Sequence, residues 1–459
     1  MNLLNIFRHK LKSIYDSTFN RNFRTKLFNA LPFWIGAIIT GLVAVFYAKL
    51  FALAELGTAY IFKRAGWSFF IITPAAFVLA RYLVTKYSPF SRGSGIPQVV
   101  ASIELSNPRH NYKVNKLLSL KVIFIKILSS IIMIFGGGAI GREGPTVQIS
   151  ASIFKVINDI LPDWFPKISK RNMIVTGAAA GLASAFNTPL GGIVFAIEEL
   201  TKTHFSFFKS ALLTGVIIAG LTALNFLGPY LYLGYPQLSN ISALIIIVIV
   251  PVSIITGICG SGMGRAILFA LKMKNEIKFE YQKVIYVVLC GLVVASIAFF
   301  IDSRVFGSGK QIMVTTLFSD DKHVSWYVPL IRILGPVLSF STGASGGIFA
   351  PSLCAGASIG AVISGWLHLS PTQTNLIVLC GMVGFLTGII RSPFTSSILV
   401  IEMTNSHNVI FHLMLAALLA NIVSNFISRH SFYDYLKDGY IKEIHKSEDQ
   451  EPVIEKKRV

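Results

Sequence analysis

The chain has 459 residues, of which 53% are hydrophobic and only 14% charged. Its mean hydropathy is +0.65 and its formal net charge +20. A soluble domain carries about 25% charged residues to wet its surface, so a soluble enzyme, a disordered chain, a collagen and a disulfide scaffold are excluded. Cytoplasmic loops of membrane proteins accumulate Lys and Arg, which explains the positive charge better than nucleic-acid binding does.

Residues 1–26 carry Arg8, Lys10, Lys12, Arg21, Arg24 and Lys26 against Asp16 alone. This basic start, assigned to residues 1–30, reads as a cytoplasmic surface helix or tail; no cleavable signal peptide is visible. Apolar runs follow at roughly 31–54, 67–84, 117–135, 173–200, 210–227, 241–259, 284–301, 328–341, 352–367, 374–390, 393–403 and 409–427. Between Lys209 and Arg265 lie 55 residues without an Asp, Glu, Lys, Arg or His. A bilayer-spanning helix needs about 20 such residues. Residues 437–459, with six charges of each sign, read as a cytoplasmic tail. The four cysteines lie far apart in apolar stretches and read as buried thiols rather than metal ligands.

Several runs are too short for a simple span, and Gly and Pro interrupt them at Gly136-Gly137-Gly138, Gly141, Gly144-Pro145, Pro189, Gly346-Gly347, Pro351 and Pro393. Hydrocarbon cannot satisfy a broken backbone, so helix breaks at membrane depth line cavities or ligand sites. The breaks also recur. A shift of 204 superposes Gly177 on Gly381, Pro189 on Pro393, Ile197 on Ile401 and Glu198 on Glu402, with Thr188 over Ser392. Gly93-Ser94-Gly95 is echoed by Gly307-Ser308-Gly309, and 141–145 loosely by 346–351. Two membrane repeats, 31–228 and 229–436, are therefore expected, with a site between them.

A helix that begins inside the membrane presents free N–H groups and a positive dipole end, which attract anions. Gly93–Pro97, Gly144-Pro145 and Pro351 all read as such starts. Each alone could be an ordinary helix start; three in one chain favour an anion pathway. Glu143 falls within one break and could occupy an anion site when charged and leave it when protonated, or merely contact Arg142. Glu198-Glu199 could mark ion or proton access, or face water. Lys126, a charge within an apolar run, could snorkel or add positive potential to an anion path.

Taken together, GSGIP (93–97), GREGPTVQ (141–148) and GGIFAP (346–351) resemble the CLC chloride channel and transporter family. The likeness extends from about residue 30 to 436. It implies an all-α polytopic membrane protein of two inverted repeats with many tilted, broken helices, assembled as a homodimer in lipid. By that resemblance Ser94, Tyr433 and the amides of Ile348 and Phe349 coordinate the central anion, while amides around Arg142 and Gly144 bind an external one. Glu143 resembles the external gating glutamate. Glu199, in AGLASAFNTPLGGIVFAIEE (180–199), resembles the internal proton-transfer glutamate of exchangers. Gln98 departs from the Glu of many relatives, and the chain ends too soon after Tyr433 for paired nucleotide-binding CBS domains. The resemblance implies exchange of chloride for protons with no cofactor, metal or enzymatic activity, in a prokaryotic inner membrane. An uncoupled chloride channel is the alternative. A remote one is an intramembrane serine protease, since Gly343-Ala344-Ser345-Gly346-Gly347 satisfies GxSxG.

Overall fold

The computed structural model describes residue 12 and residues 21–107, 110–201, 209–228, 231–239 and 242–449. Among these there is no named strand, only helices and turns. Residues before 21, bar Lys12, lie outside the described set, and with them most of the basic start.

The first half runs α1 (Arg21–Ala65), α2 (Phe69–Tyr87), α3 (Ile96–Glu104), α4 (Val114–Leu117), α5 (Leu120–Phe135), α6 (Glu143–Ile160), α7 (Lys170–Phe186), α8 (Pro189–Phe195) and α9 (Lys209–Leu227). The second runs α10 (Ile246–Glu276), α11 (Glu280–Phe300), α12 (Lys310–Phe318), α13 (Val328–Ser341), α14 (Phe349–Trp366), α15 (Pro371–Ile390), α16 (Pro393–Thr404) and α17 (Ile410–Ile427), followed by α18 (Phe432–Asp449). Eight helical stretches are long and apolar enough to cross a membrane.

The apolar run 173–200 is not one helix. Asn187 takes a left-handed conformation (φ 58°), ending α7, and Pro189 starts α8 without losing a hydrogen bond. In the other direction, α1 continues past Glu55, whose charge closes the apolar run, because that carboxylate accepts the Ser308 N–H at 2.7 Å. The positions assigned as boundaries at 30 and 436 fall inside α1 and α18.

The repeat reappears as reciprocal contacts. Glu198 accepts the N–H groups of Phe394 (3.2 Å) and Thr395 (2.7 Å) at the start of α16. Glu402, its counterpart, accepts those of Leu190 (3.0 Å) and Gly191 (2.6 Å) at the start of α8. Glu198, half-buried, is therefore a helix cap held between the repeats. Lys126 on α5 and Arg332 on α13 form a second matched pair. Lys126 binds the carbonyls of Ser91, Arg92 and Gly93, and Arg332 those of Arg304 to Gly307. These turns lie at opposite ends of the molecule. The first adjoins the end where α2 meets α11 through the Arg81–Glu280 ion pair, and the second the end where α1 gives way to the turn at Gly66. The halves are thus inverted.

Basic residues are the more numerous at the Arg81 end, where Arg81, Lys86, Arg92, Lys113, Lys116, Lys272, Lys274, Lys278 and Lys283 lie, against Lys63, Arg64, Arg304, Lys310 and Lys322 beside Asp302, Asp320 and Asp321 at the other. The positive-inside rule makes the Arg81 end cytoplasmic. In cross-section, 94% of the α15 apolar window is buried, against 28% for that of His407–Ile427. The first helix forms the core; the second, with Phe411 and Phe426 almost fully exposed, faces outward.

Candidate functional site

The glycine breaks bring three chain segments together. Gly93 donates to Ala344 O (2.8 Å) and accepts from Gly346 (3.1 Å). Gly141 and Gly347 exchange both backbone bonds at 2.8 and 2.7 Å. This clamp aims the first turns of α3, α6 and α14 at one region. Arg142 caps α6 and Glu143 opens it; Ile348 caps α14 and Phe349 opens it. Gly95 precedes α3 at φ 103°, where a Cβ would also lie 2.7 Å from Gln148 Cβ. Glycine is required on both counts.

Two glycines set the site's tightness. A Cβ on Gly144 would strike the Ser94 hydroxyl, and one on Gly141 would strike the Glu143 carboxylate. The side chains named from sequence therefore lie directly against the clamp. Ser94 Oγ is 3.3 Å from Tyr433 OH, and the Tyr433 ring stacks on Phe349 at 6.3 Å between centroids. Ser94, Tyr433, Ile348 and Phe349 are all buried.

Glu143 is 1% exposed. Its Oε1 accepts from Tyr232 OH at 3.3 Å, while Oε2 has no hydrogen-bond partner among the described residues. Burying a carboxylate oxygen without a partner is costly. Glu199, also buried, lies on a π-helical turn, Ala196–Thr201, and accepts from Ser392 Oγ at 2.8 Å. Such turns occur frequently at functional sites. The charges of both carboxylates reach the Tyr433 hydroxyl.

Lys126 does not snorkel. Fully buried, it spends its ammonium on the carbonyls just before Ser94 and so fixes the turn that presents that hydroxyl. Gln98 donates to the carbonyls of Phe90 and Arg92 and to Tyr440 OH, tying α18 to the same turn. A glutamate there could donate none of these bonds once charged. Ser345, the candidate protease nucleophile, donates its hydroxyl to Ser91 O at 2.6 Å and sits inside the clamp. Sequence reasoning missed Tyr232 and Ser392. Ser392 was visible only as the repeat partner of Thr188, and Tyr232 carried no motif.

Inverted repeats with broken helices whose starts converge on a buried polar site define a multi-pass membrane transport protein. The family model described as "Voltage gated chloride channel" matches residues 75–425, and the chain belongs to that family, the CLC channels and transporters. It is 27% identical to the H(+)/Cl(-) exchange transporter ClcA of Salmonella arizonae and 26% identical to that of Salmonella paratyphi B. Each match covers 86% of this chain and 85% of the relative. Among solved structures, a slow cyanobacterial Cl-/H+ antiporter aligns with a TM-score of 0.80 at 22% identity, covering 91% of this chain and 98% of that one. A CLC-type fluoride/proton antiporter aligns at 0.74 and 19% identity, covering 91% and 98%. At these identities the structural likeness speaks for the fold.

Proposed function

We propose that the protein exchanges chloride for protons across a bacterial inner membrane. The observation that carries this reading is the Glu143 carboxylate: buried at the start of α6, whose next residue, Gly144, lies against the Ser94 hydroxyl, with one oxygen unpartnered among the described residues. An anion and this carboxylate suit the same helix-end N–H groups, so the carboxylate yields its place when an anion arrives or when it takes a proton. Ser94, Tyr433 and the amides of Ile348 and Phe349 hold the central anion. The amides around Arg142 and Gly144 hold the outer one. Glu199 passes protons between the cytoplasm and the Tyr433 region, with Ser392 orienting it. The resemblance to exchangers rather than typical channels rests on Glu199. In lipid the protein acts on this reading as a homodimer.

Purified protein in chloride-loaded liposomes tests the reading. An imposed chloride gradient is expected to drive protons uphill. Glu143→Gln, which mimics the protonated gate, is expected to abolish that pumping and leave chloride flux. Chloride flux in the wild-type protein without proton movement would instead make it an uncoupled channel.

A further inference from the structure

At the cytoplasmic end, a pocket of about 740 Å³ opens between α2, α10, α13 and α18 and reaches Gly93 and Gly343. Lys274, near the end of α10, lies in its wall. Only 8% of this residue is exposed, and its ammonium has no hydrogen-bond or ion-pair partner among the described residues. The ammonium rests against Gly343, where a Cβ would come within 2.6 Å of it. The other cations of the pocket are all paired. Arg81 and Lys283 share Glu280 at 2.9 and 2.7 Å, Lys272 reaches Glu276 at 3.9 Å, and Arg92 holds Glu443 through both its terminal nitrogens. Five basic groups therefore face three carboxylates. Arg81, Arg92 and Lys283 lie close enough for their charges to act on Lys274.

An ammonium without a carboxylate partner, opening on a pocket with an excess of positive charge, favours an anion drawn from solution. We propose that this pocket is a binding site for an oxyanion of the phosphate class, taken from the cytoplasm, with Lys274 as its central contact. With Lys274 protonated the excess is two positive charges, of which a single chloride neutralises half and a phosphate dianion all. Arg81 and Arg92 supply the guanidinium forks that suit tetrahedral oxyanions. Their present partners are exposed carboxylates, 71% for Glu280 and 43% for Glu443, and such surface pairs exchange readily. The volume admits inorganic phosphate with water or a small phosphomonoester. Because the pocket reaches Gly93, beside Ser94, an occupant obstructs the inner end of the anion path. That consequence rests on the proposed transport function; the binding does not.

Equilibrium dialysis of inorganic phosphate against the full-length protein in phosphatidylcholine nanodiscs tests the binding alone, with gluconate at equal ionic strength as the control. Phosphate is expected to bind in excess of gluconate, with affinity lowered about tenfold in Lys274→Met and retained in Lys274→Arg. Arg81→Gln provides a second weakened variant should Lys274→Met fail to fold. No binding above the control, or equal affinity in the weakened variants and the wild type, overturns the site. Occupation by phosphatidate in mixed nanodiscs to the exclusion of inorganic phosphate overturns its cytoplasmic source. In liposomes, internal phosphate is expected to slow chloride flux several-fold in the wild type and less in Lys274→Met; failure of this arm alone leaves the binding site standing and removes the obstruction.

Discussion

Among single residues, Tyr232 bears most on the gate proposed at Glu143. It comes from the segment after α9, and its hydroxyl provides a neutral hydrogen bond that steadies the Glu143 carboxylate. Its ring packs edge-on against Phe186 at 5.0 Å and carries the Lys310 ammonium 4.5 Å from its centroid, so the hydroxyl is held in place from two sides. A hydrogen bond to a charged group is worth roughly 1.5–3 kcal/mol. Tyr232→Phe keeps the ring packing and removes only the hydroxyl. A gate released by that amount opens roughly 10- to 150-fold more often. Passive chloride flux is therefore expected to rise by up to about that factor, while protons moved per chloride fall. Both are read in the same liposome experiment, and an unchanged ratio would show that the hydroxyl does not hold the gate. Glu199→Gln belongs to the same scale. It removes the buried carboxylate that Ser392 orients, so proton movement is expected to stop while chloride still passes, and unchanged proton flux would remove Glu199 from the path.

At the scale of elements, the chemistry lies where helices begin. Gly93 bonds the backbones of Ala344 and Gly346, and Gly141 that of Gly347, which pairs backbone groups where α3, α6 and α14 start at membrane depth. The space between them is narrow. Gly144→Ala drives a methyl group into the Ser94 hydroxyl, and overpacking of this kind costs about 1–3 kcal/mol. The expected outcome is loss of chloride affinity by calorimetry and a lower melting temperature. Retained affinity would mean that Ser94 can move away, and so is not confined by the clamp. These starts were legible in the sequence because Gly and Pro mark them with their own backbone constraints. Tyr433 was legible only through a poor local match, yet it lies 3.3 Å from Ser94. The full length of α1 was hidden, since Glu55 reads as a terminator until its partner, the Ser308 amide 253 residues away, is known. Tyr232 was hidden for the same reason: it bonds Glu143 across 89 residues, and no local pattern encodes that contact.

For the whole molecule, the duplication explains which features could be read early. Four coincident residues at one shift announced two halves only together with the shared order of a GSG turn, a glycine-rich break and a Pro-started helix ending in Glu. The structure gives one of those coincidences a physical role. Glu198 and Glu402 each cap the helix start that leads toward the other, so α8 with its π-helical turn and α16 form a closed reciprocal pair. Glu199, adjoining Glu198 and bonded to Ser392 at the foot of α16, is positioned by the same arrangement. Each carboxylate cap contributes about 1–2 kcal/mol. Glu198→Gln and Glu402→Gln are therefore expected to lower thermal stability by similar amounts, since the contacts are related by the internal twofold. The double variant is expected to lose less than the sum, because loss of either cap already loosens the helix that carries the other. Melting curves of the two singles and the double close this cycle. Strict additivity would make the two caps independent, and the inverted halves would then be joined at this point by two separate contacts instead of one.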